Sequence, residues 1–136
     1  MAASLSNATD LSIEHIKRQI DDYYSFHEIE VCANGCHRWV GKYSGGYVSK
    51  HFKLINRETH KEKNIKLALH IVVCFLKYRR IPVKGAIDCS HLCHDKNCLN
   101  PDHLVLEPRD TNNLRKNCKK AKRCSHHHES ADCIFN

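Results

Sequence analysis

Residues 89–103 read CSHLCHDKNCLNPDH, which packs three Cys and three His into fifteen positions. That density of metal-ligand side chains limits what the chain can fold into more than any other feature. Cys93, Cys98 and His103 are evenly spaced, five apart. They suit three corners of a structural zinc site, which takes thiolate and imidazole ligands and closes at four. The fourth has to come from elsewhere. Cys36 is the first choice, because it sits in the turn CANGC at 32–36, which can fold back onto the motif. Cys32 is its rival and Cys89 a weaker one. His91, just ahead of the triplet, is left for chemistry.

A second ligand set closes the chain. Cys118, Cys124, the run His126–His128 and Cys133 follow the spacing C-x5-C-x-H-x6-C when His126 is the histidine chosen. His126 is favoured and His128 is second. The tail 118–136 has almost no apolar content. Zinc is the evident way to order it, since a structural zinc contributes on the order of 10–16 kcal/mol of apparent folding free energy. Cys74 lies in an apolar run and reads as core packing.

The chain has nine Cys, twelve His and a formal net charge of +7 over 136 residues. That length fits one domain, with an N-terminal helical segment at 1–31, a core at 32–117 and the second cluster at 118–136. The positive charge points to a polyanion, and nucleic acid is the commonest. Nine is an odd number for a disulfide framework, and neither a signal peptide nor a transmembrane stretch is visible. Reduced thiols on metal in a nuclear or cytoplasmic, non-secreted protein fit better than disulfides.

The coarse pattern is α+β. Residues 9–25 read as an amphipathic helix capped by Thr9 or Asp10, with Leu11, Ile13, Ile16, Ile20 and Tyr23 at helical spacing. Runs 38–43 and 47–55 read as strands of one hairpin turned by Ser44-Gly45-Gly46. Residues 56–64 read as a charged loop, and 65–79 as a buried helix ended by Pro82. Strands at 86–89 and 103–106 flank the Cys/His loop, and 110–117 reads as a short helix capped by Asp110 or Thr111.

Phosphodiester hydrolysis needs a base for water and charge stabilisation at the phosphate and the departing 3′-oxygen. A neutral His serves the first need at neutral pH. A divalent cation serves the second. Magnesium keeps most of its water and needs only one or two protein oxygens, so the amide oxygen of Asn112, in the helix after the loop, would suffice. The plainer readings are that His91 is a zinc ligand and Asn112 a residue of the helix cap.

The segment SHLCHDKNCLNPDHL at 90–104, with Asp110, Asn112, Arg115 and the Cys-rich tail, resembles the His-Cys box homing endonucleases, within the His-Me finger (ββα-metal) nucleases. GCHRWVGKYSGGYVSKHF at 35–52 is similar to the segment that precedes such motifs, so the resemblance covers about 32–133. It implies a small zinc-stabilised ββα-metal fold with an antiparallel hairpin or sheet for DNA and flanking helices. It implies that His91 is the general base, that Asn112 holds the catalytic magnesium, and that Arg57 stabilises phosphate charge. It implies one zinc on Cys36, Cys93, Cys98 and His103, and another on Cys118, Cys124, His126 and Cys133. Double-stranded DNA would lie on Arg38, Lys42, Ser49, Lys50, His51 and Lys53, a ribbon able to read the major groove. The basic run 115–123, with Arg115 and Lys116, would engage phosphate. The family's dimerising tail has no counterpart after Cys133, which leaves a homodimer and a monomer that nicks one strand both open.

Two functions follow. One is a magnesium-dependent endonuclease acting on duplex DNA. The other is a non-catalytic zinc-stabilised DNA-binding module, as the DNA-binding domain of Smad transcription factors is on a similar scaffold. The pairing of His91 with Asn112 favours the enzyme.

Overall fold

The computed structural model describes residues 2–43, 45–124, 128 and 131–134. Ser44, in the expected hairpin turn, and His126, the favoured ligand of the tail, lie outside the described residues.

Thr9 starts α1 (Asp10–Ser25): its hydroxyl accepts from the Ser12 amide at 3.2 Å, satisfying one of the donors a helix start leaves open. Ile13, Ile16 and Ile20 form the buried stripe, whereas Leu11, expected on that face, is exposed. Ser12 in turn accepts from the Ile55 amide at 2.8 Å, which ties α1 to the sheet.

The strand pairing differs from the sequence reading. The strand β2 (His37–Trp39) pairs with β1 (Ile29–Val31) across the 32–36 turn, and not with the run that follows. That following run, β3 (Ser49–Ile55), pairs with β4 (Glu62–Ala68), with Phe52 opposite Ile65. The expected hairpin of 38–43 with 47–55 is therefore replaced by two others. The reason lies at Trp39. Its indole is buried edge-on against Tyr23, and its ring N–H donates to the Lys42 carbonyl at 3.4 Å. Gly41 lies so close to the ring that a Cβ there would meet it at 2.9 Å. The chain curls around the indole and leaves the sheet.

Residues 56–64 were expected to be loop, but only the turn fits that description. Asn56 organises it, accepting through its side chain from the Glu58 and Thr59 amides. Phe52, Leu54, Ile65 and Leu67 then face inward in alternation, while His51, Lys53, Asn64 and Lys66 face water. The expected 65–79 helix is shorter for the same reason: its first four residues belong to β4, and α2 spans Leu69–Tyr78. Arg79, left-handed at φ 57°, ends it.

Leu69 and Val72 of α2 join Ile16, Phe52 and Leu104 in the apolar core. Burial of each such side chain stabilises by about 1.5–3 kcal/mol. On this core stands a ββα unit: β5 (Ile87–His91), β6 (Leu104–Pro108) and α3 (Arg109–Ala121). The strands β5 and β6 are antiparallel, with His91 opposite Leu104. The helix α3 is longer than expected and begins earlier. Its N-cap is Pro108 with no side-chain cap, so neither Asp110 nor Thr111 plays that part. The result is a small α+β fold in which the Cys/His loop spans the gap between β5 and β6.

Candidate metal centres and active site

The ligand atoms of Cys36, Cys93, Cys98 and His103 all lie within 4.8 Å of one another. The His103 Nδ1 is 3.7 Å from the Cys36 sulfur and 3.4 Å from the Cys98 sulfur. A tetrahedral zinc with bonds of about 2.3 Å to sulfur and about 2.0 Å to nitrogen has S···N edges of about 3.5 Å. The four side chains therefore fit the ion. Cys32 and Cys89 stand outside the cluster.

The sequence folds this way locally because several bonds pull the 32–36 turn onto the loop. Asn100 donates to the Gly35 carbonyl at 2.8 Å, and the Leu99 amide donates to the His37 carbonyl at 2.7 Å. Gly35 has φ 88°, and the His103 ring packs 3.5 Å from where its Cβ would be. Contact with Cys93 holds the Cys98 thiol down at about 4, while burial pushes Cys36 up to about 11. Such a set of crowded sulfurs suits a dication that takes them as thiolates.

Cys118, Cys124, His128 and Cys133 form the second cluster, again within 4.8 Å. His128 Nε2 lies 3.3 Å from the Cys118 sulfur and 3.7 Å from that of Cys133, which also matches a tetrahedral edge. His128, the second choice in the sequence, is the described histidine in this set. Zinc with three thiolates and a neutral imidazole carries a net charge of −1, and Arg115 lies against it, donating to the Cys133 sulfur at 3.3 Å.

Arg115 is thus no phosphate contact. It is 2% exposed, donates to both carboxylate oxygens of buried Glu107 at 2.6 and 2.8 Å, and reaches the Ala131 carbonyl at 2.6 Å. The residue that looked like part of a basic surface run instead ties α3, β6 and the tail together.

His91 ends β5 half-buried. Its Nε2 lies 3.2 Å from the Cys98 carbonyl oxygen. A carbonyl only accepts, so Nε2 carries the hydrogen and Nδ1 of the neutral ring holds a free lone pair. Burial pulls its pKa below the usual histidine value. The His70 ring lies 5.3 Å away and Tyr47 stacks on His70 at 4.3 Å, nearly parallel to His91. Burial and the nearby His91 hold His70 down at about 3, so it stays neutral.

Asn112, in the first turn of α3, donates its side-chain amide to Asp88 at 3.0 Å. Asp88 is three residues before His91 on β5, so both candidate residues are anchored on one strand. Arg109 donates to the same carboxylate and holds it below the usual aspartate range. With its nitrogen committed to Asp88, the Asn112 amide keeps its oxygen available as a ligand for a hard cation.

A family model described as the zinc-binding loop region of homing endonucleases matches residues 32–134, a span that takes in both Cys/His clusters. The chain belongs to this homing-endonuclease zinc-binding family. No curated protein and no solved structure matches it.

In this member of the family, the DNA candidates fall into four groups. His51 and Lys53 project from the exposed face of the β3–β4 ribbon, with half-exposed Ser49 at its end. Lys42 lies in the excursion after β2, and Lys50 holds its ammonium 4.5 Å over the Trp39 ring. Arg38 pairs with Asp95 at 3.4 Å, beside the first zinc loop. Lys116 is exposed on α3.

Arg57 is not brought to His91. Its guanidinium donates to the Ala8 carbonyl at the turn end of the ribbon, about 25 Å of strand from the Tyr47 end. The sequence missed Asp88, Glu107, His70 and Tyr47. His70 carried a signal, a histidine inside an otherwise apolar run. Tyr47 carried none, because its role depends on α2 meeting the excursion.

Proposed function

We propose that the chain is a magnesium-dependent endonuclease that hydrolyses phosphodiester bonds of double-stranded DNA. The observation that carries this reading is the bond from His91 Nε2 to the Cys98 carbonyl. It fixes the tautomer in which Nδ1 is the base, and burial keeps that base unprotonated near pH 7. Water bound at Nδ1 gives up its proton as its oxygen attacks phosphorus, and the bond to the 3′-oxygen breaks. Asn112, steadied by Asp88 and Arg109, would hold magnesium. When bound, that ion stabilises charge on the phosphate and the departing oxygen.

The net charge of +7 and the exposed ribbon face suit a duplex. Lys53 stands opposite Asn64, with His51 beside them on the exposed face, a set of donors and one amide of the kind that reads base edges in the major groove. The two zinc clusters are architectural in this reading.

The test is nicking of supercoiled plasmid by the zinc-loaded chain in magnesium, in EDTA, and with Asn112→Ala. Cleavage that requires magnesium and is lost in the variant supports the assignment. Cleavage equal in EDTA removes magnesium from it, and cleavage unchanged in the variant removes Asn112.

A further inference from the structure

The excursion after β2 and the exposed face of the ribbon enclose a groove of about 350 Å³. Two tyrosines line it, Tyr43 and Tyr47, which are 44% and 51% exposed. Three lysines line it as well, Lys42, Lys50 and Lys66, and no carboxylate does among the described residues. Both rings are held in place. Asn97 of the first zinc loop donates to the Tyr43 hydroxyl at 3.1 Å, and buried His70 stacks on Tyr47. Rigid aromatic faces among cations are the physical signature of sites that take unstacked bases, because every base has a π-face and every nucleotide a negative charge.

The groove also lies close to His91. The Tyr47 ring centre is 6.3 Å from that of His91, with the planes only 15° apart. A base laid on Tyr47 therefore puts its own phosphate within about one nucleotide of the candidate base. Paired bases in an intact duplex are stacked on each other and cannot offer a face to Tyr47.

We propose that this groove binds one unstacked nucleotide of the strand being cut, its base on the exposed face of Tyr47 and its phosphates among Lys42, Lys50 and Lys66. That this strand is the one cut rests on the nuclease reading; the binding site does not. Drawing a nucleotide from the stack costs least where it is mispaired or unpaired. The protein should therefore prefer locally unpaired DNA over perfect duplex.

The test uses the full zinc-loaded chain, with calcium in place of magnesium so that no strand is cut. Three probes of one sequence carry 5-iodouracil at one position: a single strand, a duplex mispaired there, and a perfect duplex. Affinity is read by fluorescence anisotropy, and the stacked residue by near-ultraviolet crosslinking and peptide mapping. The expected result is tighter binding of the first two probes and a crosslink at Tyr47. Tyr47→Leu should lose the crosslink and roughly ten-fold or more in affinity for the unpaired probes, whereas Tyr47→Phe keeps both. Zinc content and far-ultraviolet circular dichroism confirm that the variants fold. Equal affinity for all three probes, or Tyr47→Leu binding like the parent, overturns the proposal. Plasmid cleavage without a Tyr47 crosslink would sink this inference and leave the nuclease reading intact. A Tyr47 crosslink without cleavage would do the reverse.

Discussion

His91 and Cys98 are joined by a 3.2 Å hydrogen bond from the imidazole Nε2 to the main-chain carbonyl. The residue whose sulfur belongs to the first metal cluster thus orients, through its backbone, the ring proposed to activate water. Metal architecture and chemistry meet in one residue.

Loss of the first cluster should therefore remove fold and activity together. The Cys93→Ala variant is expected to bind one zinc per chain where the parent binds two. It should lack a cooperative thermal transition, since a structural zinc contributes on the order of 10–16 kcal/mol and a domain of this size holds only about 5–15. Metal analysis beside calorimetry checks this; a variant with two zinc ions and the parent's melting temperature contradicts it.

The buried Arg115–Glu107 pair predicts a different effect. Arg115→Met leaves the Glu107 carboxylate alone in the interior and should cost about 3–5 kcal/mol in denaturant unfolding. Adding Glu107→Leu should recover much of that loss. Because Arg115 does not face phosphate, a folded double variant should show the same dependence of DNA affinity on salt as the parent. A salt slope reduced by about one would return Arg115 to the DNA surface.

Salt dependence should change instead at the ribbon. Lys53→Ala and Lys66→Ala together are expected to reduce the slope of log affinity against log salt by about 2, with zinc content unchanged. Their exposed positions on β3 and β4 make a folding defect an unsuitable explanation. An unchanged slope would take the duplex off this face.

Burial disfavours the charged form of His91, so its folded pKa lies below the usual 6.5. The base form then persists as pH falls through 6.5. The acid limb of kcat/KM should bend below that value, and a limb at or above it contradicts the assignment. His70 gives a separate stability signal. Its folded pKa of about 3 is depressed, so the unfolded chain binds more protons between about 3 and 6.5. The stability held above 6.5 is lost as pH falls through that window. His70→Phe should flatten the dependence, as read from denaturation midpoints between pH 7 and 5.

The parts of this molecule that were legible in the sequence are those set by local spacing. Cys93, Cys98 and His103 sit on one short loop, so their spacing already places three ligands, and His91 stands beside them. The stripe Ile13, Ile16, Ile20 and its Thr9 cap are equally local. Strand pairing was not legible. Gly45-Gly46 offered a hairpin turn, but the fit of Gly41 against Trp39 diverted the chain, and nothing local to β3 names β4 as its partner. Ile65 and Leu67 alternate with Lys66, a period-2 signal masked by the apolar helix that follows directly. Arg115 was hidden in a basic run, because its burial depends on Glu107, eight residues back across the β6–α3 junction, and on the tail.

The most direct test of the central claim compares His91→Ala with the parent on supercoiled plasmid and linear duplex in magnesium, with zinc content and DNA affinity measured on the same preparations. The account predicts that cleavage falls by roughly 10²–10⁴-fold, while two zinc ions and the parent's affinity are retained. A variant that loses a zinc ion would make His91 a ligand, and one that cuts like the parent would leave it no part in the chemistry.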